Sequence, residues 1–171
     1  MNRRLFLLPG NLVRFIRTDR ADRALLAEAV AYLLYARLAL LVIPFPRLAQ
    51  RFGRFTAPSL AVARDAATPA MAAVARTVGR AIRRSARRVP FEAVCLPQAI
   101  AAQAMLRRRG VPSVMHFGVN ANPGQAFEAH AWLDAAGVEV SGYPLGQHTE
   151  IACFVQDTAP DRDAAAQPER P

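Results

Sequence analysis

The chain contains no lysine, so all 22 of its basic side chains are arginine. Together with the abundance of alanine this looks like codon bias, and it excludes no function. Cysteine is scarce too: Cys95 and Cys153 are the two present, without a CxxC spacing, which rules out a disulfide framework or a cysteine zinc knuckle. The N-terminus has no apolar stretch followed by a small-residue cleavage site. A reduced, cytoplasmic protein is the simplest expectation. The three histidines, His116, His130 and His148, fall in neither an HxxxH nor an HExxH spacing, so neither a metal nor another cofactor is expected. No aromatic–basic stacking pattern and no helix-turn-helix signature point to nucleic acid, which is not expected as a partner.

What is present suffices for one domain with a core: 171 residues, 53% of them apolar. Charge is unevenly spread. Up to Arg109 there are 20 arginines against five acids, and beyond it two arginines against eight acids, which splits the net +9 into +15 and −6. A chain so polarised can be drawn to an anionic membrane face, to nucleic acid or to an acidic polypeptide, and composition does not choose among them.

The segments follow from these textures. Residues 1–20 read as a basic arm with a short apolar patch, Leu5 to Leu8, broken by Pro9-Gly10. Residues 21–89 read as a helical part. Asp22 can cap a helix from about Arg23 to Ile43 that stops at Pro44. Its apolar run is about the 20 residues a bilayer crossing needs, but Glu28 and Arg37 lie inside it. Burial of most of its surface against the domain is therefore the leading expectation, and a helix lying on a membrane is the other. Further Arg-rich helical stretches are broken at Pro58 and Pro69, with Ala70 to Arg88 apolar on one face and basic on the other.

From residue 90 to 155 the pattern becomes a helix followed by strands. The helix over 96–109 ends in Arg107-Arg108-Arg109 and Gly110, a basic last turn and a glycine stop. Strands are predicted at Ser113–Val119, Ala129–Leu133 and Val138–Val140. The segment 156–171 has little to bury and reads as a disordered tail.

Cys95 sits where the 96–109 helix begins, two residues before Pro97, and proline suits a first helical turn. Unpaired amides and the helix dipole at that end favour a thiolate, the form in which cysteine is a nucleophile. A lone cysteine is more often a buried structural thiol. The second element is Ala129-His130-Ala131-Trp132, an imidazole between small residues on a strand, on the same face as Trp132. His116, in an apolar strand, and His148, in a loop near Glu150, are weaker candidates. Gln98, one turn after Cys95, is a candidate oxyanion donor by proximity alone, against its plain reading as an exposed polar position.

The blocks Cys95-Leu96-Pro97-Gln98-Ala99, Leu106-Arg107-Arg108-Arg109-Gly110-Val111-Pro112, Phe117-Gly118-Val119 and Ala129-His130-Ala131-Trp132 resemble the transglutaminase-like peptidases of lasso-peptide maturation. The resemblance covers roughly residues 90–154, and Pro44-Phe45-Pro46 with the helical lead is similar to that family's N-terminal part. It implies an α+β fold with a papain/transglutaminase-like core, a nucleophile helix on a small antiparallel sheet, preceded by helices.

The implied activity is that of a stand-alone leader peptidase lacking the leader-recognition domain. The implied partners are a precursor peptide, a separate leader-recognition protein and an asparagine-synthetase-like lasso cyclase, with the protein in the cytoplasm or at the inner face of the membrane. Carried over by residue, Cys95 matches the nucleophile and His130 the general base. The family often places an aspartate where this chain has Gly142. A three-residue loop, Ala135-Ala136-Gly137, would pair Asp134 with Val138 and His130 with Gly142.

Asp134 itself lies about 13 Å along the strand from His130, too far to substitute. Ser141, a backbone carbonyl or a water could orient the imidazole instead. Two other readings remain: a weak or inactive relative that binds a peptide or a membrane, and a transglutaminase-type acyltransferase that gives the same thioester to an amine.

Overall fold

A computed structural model describes residues 20–57, 67–120 and 128–157. The basic arm expected at 1–20 and the tail at 156–171 lie almost wholly outside them. Helix α1 (Arg20–Val42) carries Asp22 in its first turn, where the positive end of the helix dipole favours an acid, and it ends just before Pro44. Its buried residues are Ala29, Leu33, Ala36 and Ala39, spaced to form one seam against the two later helices. That corrects the expectation of a mostly buried helix: four of its 23 residues are buried, and Val30, Leu34, Leu38, Leu41 and Val42 face outward.

A short helix α2 (Phe45–Ala49) follows, with Pro46 in its first turn, and then a three-residue strand β1 (Arg54–Thr56) that the sequence did not predict. Helix α3 (Pro69–Ala86) starts at Thr68, whose hydroxyl accepts the Met71 amide at 3.2 Å, with Pro69 at the first helical position. It buries Val78, Gly79 and Ile82 and turns its arginines outward, as the sequence pattern required. Helix α4 (Cys95–Arg107) is the central element, with eight of its 13 residues buried. Gly110, at φ +65°, ends the turn that follows it.

The sheet is antiparallel, in the order β1-β5-β2-β3-β4, with β2 Ser113–Asn120, β3 Glu128–Ala135, β4 Val138–Ser141 and β5 Thr149–Gln156. Alternation along the strands sorts the side chains. Met115, Leu133, Ala135 and Val140 join the helical core on one face. Val114, Cys153 and Val155 form a second small cluster, and His116, Trp132 and His130 alternate with the core-facing residues. Gly79 of α3 lies so close to β4 that a Cβ there would stand 2.7 Å from the Val140 carbonyl oxygen, which accepts from Arg83 Nη1 at 2.7 Å.

Glu28 of α1 pairs with Arg109 just past α4 at 2.5 Å. The pair is partly covered but still reached by solvent, and at the surface such a pair contributes no more than about 1 kcal/mol. Truncating a fully buried leucine such as Leu33 costs about 2–5 kcal/mol, so the apolar seam does most to hold α1 in place.

Two further expectations are corrected. The β3–β4 turn has two residues, Ala136 and Gly137, at φ 48° and 73°, and pairs Ala135 with Val138 and Asp134 with Glu139. Positive φ at both positions gives the turn whose twist matches the strands. The register then slips by one residue, so that Leu133 faces Ser141 and Gly142 falls beside Trp132 instead of opposite His130. Strand β5 was also not predicted, and it lies between β1 and β2.

Candidate active site

Cys95 is the first residue of α4, after Val94 in an extended conformation, and no side chain caps this helix end. The first-turn amides therefore have neither intrahelical acceptors nor a capping side chain, at the positive end of the dipole. The thiol is free and partly exposed. Gln98 is half-buried instead of exposed, and its side-chain amide donates to the Ala93 carbonyl at 2.6 Å. One of its two amide hydrogens is thus committed to the turn that precedes Cys95.

His130 lies near the start of β3, opposite Gly118 of β2. A Cβ at Gly118 would stand 2.8 Å from Trp132 Cζ3, so the glycine leaves the room that the indole occupies. The imidazole of His130 stacks on Trp132 at 6.2 Å between centroids and on His148 at 4.8 Å. Its Nε2 lies 2.6 Å from the Gly142 carbonyl oxygen. A carbonyl cannot donate, so the proton is on Nε2, and in the neutral ring Nδ1 keeps its lone pair. A base needs that tautomer if it is to accept a proton at Nδ1. Among the described residues no hydrogen bond joins His130 to the Cys95 sulfur.

Of the proposed orienting groups, the backbone carbonyl is the one that meets His130. Ser141 is buried on the helix-facing side, opposite Leu133, and its hydroxyl has no hydrogen-bond partner among the described residues. Gly142 has φ +83°, and a Cβ there would come within 2.5 Å of the Ala131 carbonyl oxygen and 2.7 Å of Trp132 Cα. The local backbone fits glycine, and the carboxylate side chain of the resembling family has no space here.

Beyond Trp132 lies a second constellation. His116 stacks on the indole at 5.3 Å, its Nδ1 donates to Glu150 at 2.7 Å, and its Nε2 is 3.5 Å from Asp134. Asp134 in turn accepts from the Tyr143 hydroxyl at 2.7 Å. Burial first, and then the Asp134 bond, push the Tyr143 phenol well above its ordinary range. Donor atoms of His116, Glu150 and Cys153 lie within 4.8 Å of one another, the spacing of a loose metal site. The Cys153 thiol, however, points at the Thr56 and Ala57 carbonyls, 3.6 and 3.4 Å away. A metal would need a thiolate facing those two oxygens and would break the His116–Glu150 bond, so the donor set favours a structural network.

A family model described as Transglutaminase-like superfamily matches residues 39–152. The chain belongs to the transglutaminase-like superfamily. The matched span runs from the last turn of α1 into β5, and thus takes in Cys95, His130 and Gly142. The transglutaminase-like core explains the arrangement of a buried helix opening on a cysteine against a small antiparallel sheet. Its chemistry is of the cysteine protease and acyltransferase kind. Compared with curated proteins and with solved structures, the chain matches none.

Proposed function

We propose that this transglutaminase-like protein is a cysteine peptidase that removes the leader from a ribosomally made precursor during lasso-peptide maturation. The observations that carry the catalytic part are the Gly142 carbonyl on His130 Nε2, which leaves Nδ1 able to accept a proton, and a partly exposed cysteine at an uncapped helix start. The leader-peptidase part rests on the likeness of the 90–154 motifs to that family.

In the proposed reaction His130 takes the Cys95 proton and the sulfur adds to the scissile carbonyl. The C–N bond then breaks as His130 returns the proton to the leaving amine, and water hydrolyses the thioester to a free acid. The Cys95 backbone amide is the first oxyanion donor, and the second hydrogen of the Gln98 amide is available as another. A precursor peptide, a separate leader-recognition protein and a lasso cyclase are the proposed partners. No cofactor enters the reaction.

One observation favours a second reading. Among the described residues no carboxylate is hydrogen-bonded to His130, which is how a weakened or inactive relative that only holds a peptide would look. Mass spectrometry of a candidate precursor incubated with the protein and its leader-binding partner separates the two. A leader fragment formed by the unmutated chain, and absent with Cys95→Ala and His130→Ala, supports the peptidase. An intact precursor that still co-purifies with the chain supports the binding module, and a precursor joined to an added amine would show acyl transfer.

A further inference from the structure

Between Ala24 and Val42 the exposed side of α1 carries no charge at its centre and one polar group, the hydroxyl of half-exposed Tyr35, which accepts from Arg51 Nη1 at 3.3 Å. Val30, Leu34, Leu38, Leu41 and Val42 are 40, 45, 51, 68 and 79% exposed, with exposed Ala24 and Ala27 before them and Ala31 among them. The strip is about 27 Å long at 1.5 Å per residue. The opposite face of the helix is fixed to the domain through Ala29, Leu33, Ala36 and Ala39. Within the described residues this is the one helix long and apolar enough to cross a bilayer, but its seam with α3 and α4 holds it against the protein, so it can offer only one side.

Arginine surrounds the strip. Arg20 and Arg23 stand at its start, Arg37 lies along its edge, and Arg47, Arg51 and Arg54 follow its end. Four more, Arg3, Arg4, Arg14 and Arg17, precede the helix in sequence. Of the two acids in the helix, Asp22 lies in the exposed first turn between Arg20 and Arg23, and Glu28 is already paired with Arg109 and Arg108.

We propose that the outer face of α1 lies flat on an anionic lipid bilayer, with its leucines and valines among the upper acyl chains and the surrounding arginines at the headgroups. A surface that is apolar in the middle and negative at its rim complements this strip. A second copy of the chain does not, because it would bring the same arginines face to face.

The test is co-sedimentation of the full chain with vesicles of phosphatidylcholine alone and with about 30% phosphatidylglycerol, beside the double variant Leu34→Glu, Leu38→Glu. Both positions are half-exposed, and equal thermal unfolding of the two proteins confirms the fold; Leu41→Glu serves if the double variant is not folded. The expected result is binding to the anionic vesicles, weakened at least about tenfold by the acidic substitutions and reduced by salt. Equal sedimentation of variant and wild type overturns the proposal. So does a wild-type dimer in light scattering that the same substitutions dissociate, which would make the strip a protein interface.

Discussion

His130 and His116 flank the same indole, on neighbouring strands, yet their surroundings differ at every point. His116 is buried, its Nδ1 is bound to a carboxylate, and the cysteine opposite it in β5, Cys153, is 1% exposed with its thiol turned to two carbonyls. His130 is partly exposed, its Nε2 is bound to a backbone carbonyl, and Cys95 starts a helix with its thiol partly open. The better-formed histidine–carboxylate pair is thus the enclosed one. A carboxylate beside a histidine is no sign of reactivity by itself: each ring keeps a nitrogen without a hydrogen-bond partner among the described residues, but that of His116, Nε2, is buried, and access to solvent favours His130.

Substituting each histidine should break this symmetry in opposite directions. His130→Ala is expected to lower cleavage by about 10³-fold or more while leaving urea unfolding within about 1 kcal/mol of wild type. His116→Ala should cost about 2–3 kcal/mol, because it opens a cavity beside Trp132 and strands the Glu150 carboxylate, while the folded fraction still cleaves. Stability loss with His130→Ala and activity loss with His116→Ala would reverse the assignment.

Gly142→Asp sharpens the contrast by returning the carboxylate that the resembling family carries. It is expected to destabilise the chain by about 2–4 kcal/mol, through the φ of +83° and the approach to Ala131, and to give no gain in cleavage. Increased activity at unchanged stability would mean that the Gly142 carbonyl is not the orienting group.

These details were out of reach of the sequence for a physical reason. The 3.6-residue pattern and its stops gave α1, α3 and α4, and alternation with turn residues gave β2, β3 and β4. Strand β5 sits inside the sheet, and both of its alternating sets, Ile151-Cys153-Val155 and Ala152-Phe154, are apolar, so it lacks the polar–apolar beat that marks a half-buried strand. β1 is three residues that become a strand only by pairing with β5. Cys95 and His130 could be picked out from local context, a helix start and a small-residue strand. The Gly142 carbonyl, the His148 stack and the His116–Glu150 pair depend on a bulge and on contacts 12 to 34 residues apart, which no local pattern encodes.

The smallest expected effect lies far from both histidines. Arg109, by its hydrogen bond and charge, holds the Glu28 carboxyl below its usual value of 4.5. Its folded form is therefore the more acidic, and the pair's contribution is present above pH 4.5 and fades as pH falls through the lower folded value. Glu28→Gln should lower stability by under about 1 kcal/mol at pH 7, with the difference vanishing in acid, as read from paired urea titrations.

Thiol alkylation tests the central claim without knowledge of the precursor. Iodoacetamide labelling of the folded protein, mapped by mass spectrometry over time, should modify Cys95 at least about tenfold faster than Cys153, and His130→Ala should slow Cys95 alone. Equal labelling of the two cysteines, or a Cys95 rate unchanged by His130→Ala, would contradict the account.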